Sequence, residues 1–225
     1  MKITFKNSSK EVFKDTLLVS MGSKNNDEIT KENEIKTLYL KRDETEKMNL
    51  RKLFLLARKM VMMAKGAKAK KLAFNFSDFK FSNIKLIDTE LAEIISSQLD
   101  FANYEFNDYK TPPKEGFSLI KEIFILGDKK EISKEIQNAI LKGHMITQEV
   151  NKTRTLSNTP GGDMTPQILA KKAKEAVKNL PVKIVVLGEK EMERLNMRAI
   201  LSVGQGSDEE SKFIIMEYFG SKNKN

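Results

Sequence analysis

The residue types that most often perform chemistry in proteins are sparse in this chain. It contains one histidine, His144, and no cysteine, so it has neither a disulfide nor a thiolate nucleophile. The residues one helical turn from His144 are Ile140, Leu141, Thr147 and Gln148. None of them is a carboxylate, so the sequence predicts no helical pair of metal ligands there. A structural role for His144 is favoured over that of a ligand or a base.

The densest run of carboxylates, Asp208-Glu209-Glu210, directly follows a glycine-rich run, Gly204–Ser207. That run, GQGS, matches part of a dinucleotide-binding fingerprint, but it lacks the third glycine and a following helix. We therefore predict a turn between two strands, with solvated acidic side chains beside it. The sequence also has no Gly-x-Ser-x-Gly nucleophile elbow. From the residues alone we assign no catalytic, cofactor-binding or metal-binding position.

The run TRTLSNTPGGDMTPQ (residues 153–167) lies between two segments with helical patterns. A phosphate-binding Walker loop needs Gly-Lys followed by Ser or Thr, whereas Gly161-Gly162 is followed by Asp and Met. These glycines suit positive φ angles at a helix end. Thr165-Pro166 predicts a helix start, with Thr as the N-cap and Pro in the first turn. The run is therefore interpreted as a crossing from one helix to the next.

The elements that would position these residues alternate between strands and helices, which is typical of an α/β layer structure. Short runs rich in Val, Ile, Leu, Phe and Tyr predict strands. They lie at Lys2–Phe5, Thr16–Met21, Ile35–Leu40, Lys71–Phe76 and Glu122–Leu126. We expect them to form a mixed sheet with flanking helices.

Two helices are predicted between these strands from apolar residues at i, i+3, i+4 and i+7 spacing. For the first, Asp43 and Glu46 are interpreted as a capping box and Gly66 as the end. Its predicted buried face consists of Leu50, Leu53, Phe54, Ala57, Val61 and Ala64. The second is expected to have Asp88 or Thr89 as its N-cap. Its predicted buried face consists of Leu91, Ile94, Ile95, Leu99 and Ala102.

A third helical pattern runs from about Glu131 to Ser157, which corresponds to about 40 Å of helix and could connect two domains. Its apolar stripe consists of Ile132, Ile136, Ala139, Ile140, Gly143, Ile146, Thr147 and Val150. The helix after the crossing is predicted to bury Leu169, Ala173, Ala176, Val177 and Leu180. The remaining predictions are a strand at Val182–Leu187, a short helix at Glu189–Leu195, and strands at Ile200–Val203 and Phe213–Tyr218.

The composition is basic, with 40 Lys and Arg against 31 Asp and Glu and a formal net charge of +9 over 225 residues. Acidic residues are interleaved with the lysines, so a solvated lysine-rich surface is the favoured reading and a nucleic-acid-binding face is the alternative. No run approaches the ~18 to 20 apolar residues of a membrane span, and the N-terminus has no signal-peptide core. These features indicate a cytoplasmic protein with no membrane partner.

Three segments carry a family resemblance. YEFNDYKTPPKE (Tyr104–Glu115) resembles a Y-x-F-x-x-Y-K segment of the leucyl aminopeptidase, or cytosol aminopeptidase, family. Arg154–Glu175 is similar to that family's R-x-L-x-N-x-P-x-x-x-x-T-P crossing, and Met197–Gly220 resembles the strand-turn-strand that follows it. The resemblance is specific from about Ala102 to Gly220, and the first hundred residues match by pattern only.

The resemblance implies a fold and an activity. It implies a macro-like N-terminal α/β domain over residues 1–130, a connecting helix over 131–157, and the incomplete start of an α/β catalytic domain over 158–225. In the full-length family, that catalytic domain holds two divalent ions, zinc or manganese. The ions activate a water that releases N-terminal residues from peptides. The resemblance also implies a homo-oligomer, a hexamer in full-length members.

The chain departs from the family at the metal site. Family members carry the metal ligands in a Lys-Gly-x-x-x-Asp-x-Gly-Gly motif and an Asn-Thr-Asp-Ala-Glu-Gly-Arg motif, and neither occurs in this sequence. We therefore expect the chain alone to bind no metal and to be inactive, with a role in assembly or substrate access. Peptides would be substrates only of a full-length enzyme. A free-standing module that binds nucleic acid or a nucleotide is the alternative.

Overall fold

The computed structural model describes residues 1–8, 15–22, 26–32, 35–41 and 47–220. The chain divides into two compact units, which we call unit 1 (Met1–Lys152) and unit 2 (Thr153–Asn225). Strands and helices occur in both units, so the α/β class predicted from the sequence is confirmed. Within the described ranges, no helix combines the length and the apolar composition that a membrane span requires.

Unit 1 contains a six-stranded mixed sheet. Its strands are β1 (Lys2–Lys6), β2 (Thr16–Met21), β3 (Glu28–Glu32), β4 (Ile35–Leu40), β5 (Lys71–Asn75) and β6 (Glu122–Leu126). The spatial order is β1-β6-β5-β2-β4-β3. All neighbours are parallel except β3 and β4, which form an antiparallel pair at one edge. The five predicted strands are confirmed, and β3 is an addition that the sequence pattern did not predict.

The first helix, α1 (Leu50–Gly66), begins after Asn49, whose side-chain oxygen accepts a hydrogen bond from the backbone N–H of Lys52 at 2.9 Å. The predicted capping pair, Asp43 and Glu46, lies outside the described residues. The buried face consists of Leu53, Leu56, Ala57, Met60, Val61 and Ala64. The predicted face was therefore partly wrong, because Leu50 is exposed and Phe54 only half-buried while Leu56 and Met60 point inward.

The second helix, α2 (Asp88–Asn103), is confirmed, but its predicted N-cap, Asp88 or Thr89, was wrong because Ile87 is the N-cap residue. The backbone N–H of Ile87 donates to the Glu90 carboxylate at 3.2 Å, which satisfies a donor at the helix start. Ile94 and Ala102 are half-buried, whereas Leu91, Ile95 and Leu99 lie in the core as predicted.

The long helix, α3 (Lys134–Asn158), has 25 residues and confirms the predicted third helix, with its start shifted. Its buried positions are Ile136, Ile140, Gly143 and Thr147, so the predicted inward positions Ile146 and Val150 are corrected to exposed. Gly143 has a packing reason. A Cβ at this position would overlap the backbone carbonyl oxygen of Glu93 on α2, so the two helices approach closely there.

The core of unit 1 lies between the sheet and these helices, where one large cluster joins residues of β2, β4, β5 and β6 to α1, α2 and α3. A smaller cluster on other sheet positions consists of Ala73, Phe124 and Leu126, with Leu18 packed against it. Core side chains with no exposed surface include Leu38, Met60 and Phe74. Burial of these apolar side chains is the main contribution that stabilises unit 1.

The crossing into unit 2 ends α3 at Asn158 and starts α4 (Pro166–Val177). The Thr165 hydroxyl accepts a hydrogen bond from the Ile168 N–H at 3.4 Å, and Pro166 lies in the first turn, so the predicted helix start is confirmed. Gly161 and Gly162 do not adopt the expected positive φ. The N–H groups of Asp163 and Met164 instead donate to the carbonyl of Pro160, which forms an ordinary turn.

Unit 2 continues with β7 (Val182–Leu187), α5 (Glu189–Arg194), α6 (Arg198–Gly204) and β8 (Phe213–Tyr218). β7 and β8 form a two-stranded antiparallel sheet. The predicted strand at Ile200–Val203 was wrong because these residues belong to α6. The predicted inner face of α4 is also corrected, because Ala170 is its buried residue while Leu169, Ala176 and Leu180 are exposed.

Candidate functional site

His144, the residue that the sequence favoured as structural, contacts a carboxylate on another helix. Its Nδ1 on α3 lies 2.5 Å from Oδ2 of Asp100 on α2. The Asp100 side chain is 4% exposed and the His144 side chain 22% exposed. An imidazole held by a buried carboxylate has a fixed orientation, and this pairing recurs in catalytic and metal sites. The sequence could not reveal it, because the two residues lie 44 positions apart.

Burial is the main influence on the Asp100 carboxyl group, and it raises the pKa of Asp100 above its ordinary value. The hydrogen bond and charge of His144, with a further hydrogen bond from Gln148, act in the opposite direction. The net shift is upward because removing a carboxylate from water disfavours its ionised form.

The hydroxyl groups beside this pair are committed to backbone acceptors. Ser96 Oγ donates to the carbonyl oxygen of Ile140 at 2.7 Å, and Ser97 Oγ donates to that of Glu93 at 2.8 Å. Asn151 Nδ2 on α3 donates to the carbonyl oxygen of Asp100 at 3.3 Å. Neither serine is therefore presented to His144 as a nucleophile. The arrangement joins α2 to α3 by polar contacts, in agreement with a structural His144.

Glu210, in the acidic run that follows GQGS, has a charged partner in unit 2. Glu210 forms an ion pair with Lys212 at 2.6 Å, and the hydrogen bond from this lysine is the main cause that lowers the pKa of Glu210. The backbone N–H of Ser211 donates to Glu189 at 2.9 Å. The expected turn between strands is corrected in one respect, since Gly204 ends α6 and the turn therefore follows a helix.

Within the ranges that the structure describes, no group of three or more His, Cys, Asp or Glu side chains could hold a metal ion. The two-metal site implied by the family resemblance therefore does not fit these residues.

A basic cavity of about 410 Å³ lies in unit 1 at the amino-terminal ends of β2, β4 and β5. Its charged and hydroxyl-bearing lining residues are Asp15, Thr16, Lys31, Lys36, Lys68 and Lys70. The sequence did not indicate this site, because these residues come from three separate segments that only the sheet brings together. The lining holds four lysines against one aspartate.

The comparisons with known proteins agree with one another. The family model described as "Cytosol aminopeptidase family, catalytic domain" matches residues 151–225. A probable cytosol aminopeptidase of Rickettsia bellii (strain OSU 85-389) is 36% identical over 133 residues, which are 59% of this chain and 26% of that protein. The probable cytosol aminopeptidase of Rickettsia massiliae (strain Mtu5) is 32% identical over 176 residues, covering 78% of this chain and 34% of that protein.

Solved structures share the fold. A mutant of tomato leucine aminopeptidase superposes with a TM-score of 0.78 and 16% identity, covering 100% of this chain and 52% of that chain. The bottromycin maturation enzyme BotP in complex with Mn gives a TM-score of 0.73 and 14% identity, covering 92% of this chain and 46% of that chain. The chain thus spans about a quarter to a third of the length of its curated relatives. These matches show that the chain belongs to the cytosol aminopeptidase family.

Proposed function

We propose that this chain is the N-terminal region of a leucyl aminopeptidase-like metallo-exopeptidase, an enzyme that releases N-terminal amino acids from peptides. The observation that carries the proposal is a coincidence of boundaries. The catalytic-domain match starts at residue 151, and unit 2 starts at Thr153. The sequence match to the family and the division of the structure into two compact units are independent observations. Both separate the last part of the chain, from about residue 151 onward, from the residues before it.

The domain organisation proposed here has three parts. Residues 1–130 form a macro-like α/β domain, residues 131–157 a connecting helix, and residues 158–225 the incomplete start of the catalytic domain. The six-stranded sheet within Lys2–Leu126 and the long helix Lys134–Asn158 support this division. The helix passes the boundary between the two units, as a connecting element would.

The two divalent ions, zinc or manganese, would be held outside the described residues of this chain. The structure of BotP in complex with Mn supports a divalent metal for enzymes of this fold. In this proposal the chain alone does not hydrolyse peptides, and it contributes to assembly and substrate access in a cytoplasmic homo-oligomer such as a hexamer. Exposed apolar side chains in unit 2, among them Leu180, Val203 and Phe219, support an assembly role.

A chimera provides the test. The 133-residue part of this chain that matches the Rickettsia bellii relative would replace its counterpart there, and hydrolysis of leucyl-amide would be measured with manganese or zinc. We expect no activity from the chain alone and metal-dependent activity from the chimera. The unaltered relative is the positive control. A folded, oligomeric chimera without activity would contradict the proposal, and so would activity of the repurified chain alone.

A further inference from the structure

Two lysines stand directly opposite each other at the edge of the sheet in unit 1. Lys31 on β3 and Lys36 on β4 are partners in the antiparallel register. Side chains of such partners share a face of the sheet and lie close together, and like charges in this position are destabilising. Neither lysine has an ion-pair partner among the described residues. The pair therefore keeps two positive charges together, and neither charge has a direct ion pair with another described residue.

Both lysines line the basic cavity described above, and the other two lysines there are already engaged. Lys68 forms an ion pair with Glu115 at 2.6 Å, and Lys70 Nζ donates to the carbonyl oxygen of Phe117 at 2.8 Å. Lys68 also follows the carboxyl end of α1, where a cation is favourable on its own account. Lys31 and Lys36 are therefore the lysines of this cavity that can bind a ligand without giving up a described partner.

A second observation comes from Thr16, the first residue of β2, which lines the same cavity. Thr16 is 6% exposed, and its hydroxyl oxygen has no hydrogen-bond partner among the residues that the structure describes. A buried hydroxyl without a partner costs free energy that an acceptor from a ligand would recover. Within the described ranges, one hydroxyl donor thus lacks an acceptor in the same cavity as two lysines that lack a direct ion pair.

The cavity also differs in position from the usual ligand site of open α/β sheets. Such sites lie outside the carboxyl ends of the parallel strands, whereas this cavity lies at the amino-terminal ends of β2, β4 and β5. The cavity lining includes one carboxylate, Asp15, against the four lysines. The positive excess selects an anion and not a metal ion.

We propose that this cavity binds a phosphate group, with Lys31 and Lys36 as its cationic partners and the Thr16 hydroxyl as a hydrogen-bond donor. Lysine binds phosphate as a point charge, and a hydroxyl donor adds a directed contact. The phosphate is either free or attached to a small molecule. The site is independent of peptide hydrolysis and would exist whether or not the chain is part of a peptidase.

The test is a calorimetric titration of the full chain with inorganic phosphate and, in a separate arm, with AMP, at constant ionic strength. We expect saturable binding of one phosphate group per chain, and acetate at equal ionic strength should give none. Tighter binding of AMP than of inorganic phosphate would identify a phosphorylated small molecule as the ligand. Equal or weaker binding of AMP would identify free phosphate.

Variants locate the site. The double variant Lys31→Gln/Lys36→Gln should bind about tenfold more weakly or not at all, because it removes both uncompensated charges. Thr16→Val should weaken binding while leaving the ligand-free melting temperature equal or higher, because the hydroxyl has no partner to lose. Lys85→Gln, an exposed lysine outside the cavity, is the matched control. Unchanged affinity in the double variant, or equal losses in it and in the control, would overturn the proposal.

Discussion

The two units of this chain bury their apolar residues to different extents. In unit 1, strands and helices enclose a continuous core in which residues such as Leu38, Leu53 and Phe74 have no exposed surface. In the described part of unit 2, Ala170 and Met192 are the apolar residues that are buried. Many of its other apolar side chains are open to solvent, including Leu195 at 61% and Val203 at 84% exposed.

The sheets explain this difference. Six strands give unit 1 enough surface to pack several helices on the sheet, and each helix buries a stripe. Two strands in unit 2 cannot form a comparable platform, since an isolated two-stranded ribbon is marginal by itself. Apolar residues in a sequence therefore indicate a core only where enough neighbouring elements exist to cover them.

The largest expected effect is loss of the core of unit 1. Leu53→Ala should lower the free energy of unfolding by about 2–5 kcal/mol, because it removes a fully buried side chain and leaves a cavity. Leu55→Ala on the same helix is the matched control, since Leu55 is 52% exposed, and should change stability by less than about 0.5 kcal/mol. Denaturant unfolding measures both. Equal losses would contradict the assignment of the buried face of α1.

The close approach of α2 and α3 gives the next largest effect. Gly143→Ala should destabilise unit 1 by about 1–3 kcal/mol, because the new methyl group overlaps the Glu93 carbonyl and forces the helices apart. Gly66→Ala at the end of α1 is the control, since a Cβ there has no neighbour within 4 Å. The control should be neutral or stabilise by about 0.4–1 kcal/mol. Thermal unfolding of both variants would show whether only position 143 is intolerant.

Unit 2 should respond locally. Its backbone amides are expected to exchange hydrogen faster than those of the unit 1 core, because few apolar contacts protect them. Thr165→Ala should lower protection in α4 by about 1 kcal/mol, since it removes the N-cap acceptor. Thr165→Ser keeps a hydroxyl oxygen and should retain most protection. Equal protection of the two units in native-state hydrogen exchange would contradict the expectation that unit 2 is less stable than the core of unit 1.

The smallest effect concerns pH. Because the folded-state pKa of Asp100 is raised, its contribution to stability is fully present below its unfolded-state pKa. That contribution is lost as pH rises through the folded-state value. Unfolding free energies between pH 3 and pH 7 should therefore decrease more for wild type than for Asp100→Asn. Asp108→Asn, an exposed aspartate, should follow wild type. Parallel curves for wild type and Asp100→Asn would contradict this.

Much of the fold could be predicted because the spacing of apolar residues and the capping residues indicated the same helices and strands. The strands β2, β4 and β6 have the predicted bounds, and Thr165-Pro166 begins a helix as its capping chemistry requires. The family resemblance likewise depended on short motifs in order along the chain. These strands, the helix start and the family motifs are each determined by residues that are close together in the sequence. They could therefore be predicted without knowing which elements pack against them.

Other features could not be predicted because they depend on partners distant in sequence. The apolar run at Ile200–Val203 is too short to distinguish strand from helix by periodicity, and in the structure it is helical. The polar strand β3 forms at a sheet edge, where one neighbour supplies its hydrogen bonds and little apolar surface is needed. Neither Ile146 nor Val150 faces the core, because the buried side of α3 passes through Gly143 and Thr147 instead.

The sequence by itself determined the α/β class, most element positions in the first unit, the helix crossing and the family. Tertiary structure alone decided which charged groups meet. The contact between Asp100 and His144 joins two helices, and the Lys31 and Lys36 pair faces segments around Thr16 and Lys70. Hydrogen bonds and Coulomb interactions act through space over a few ångströms, so chain separation carries no information about them until the sheet and helices have packed.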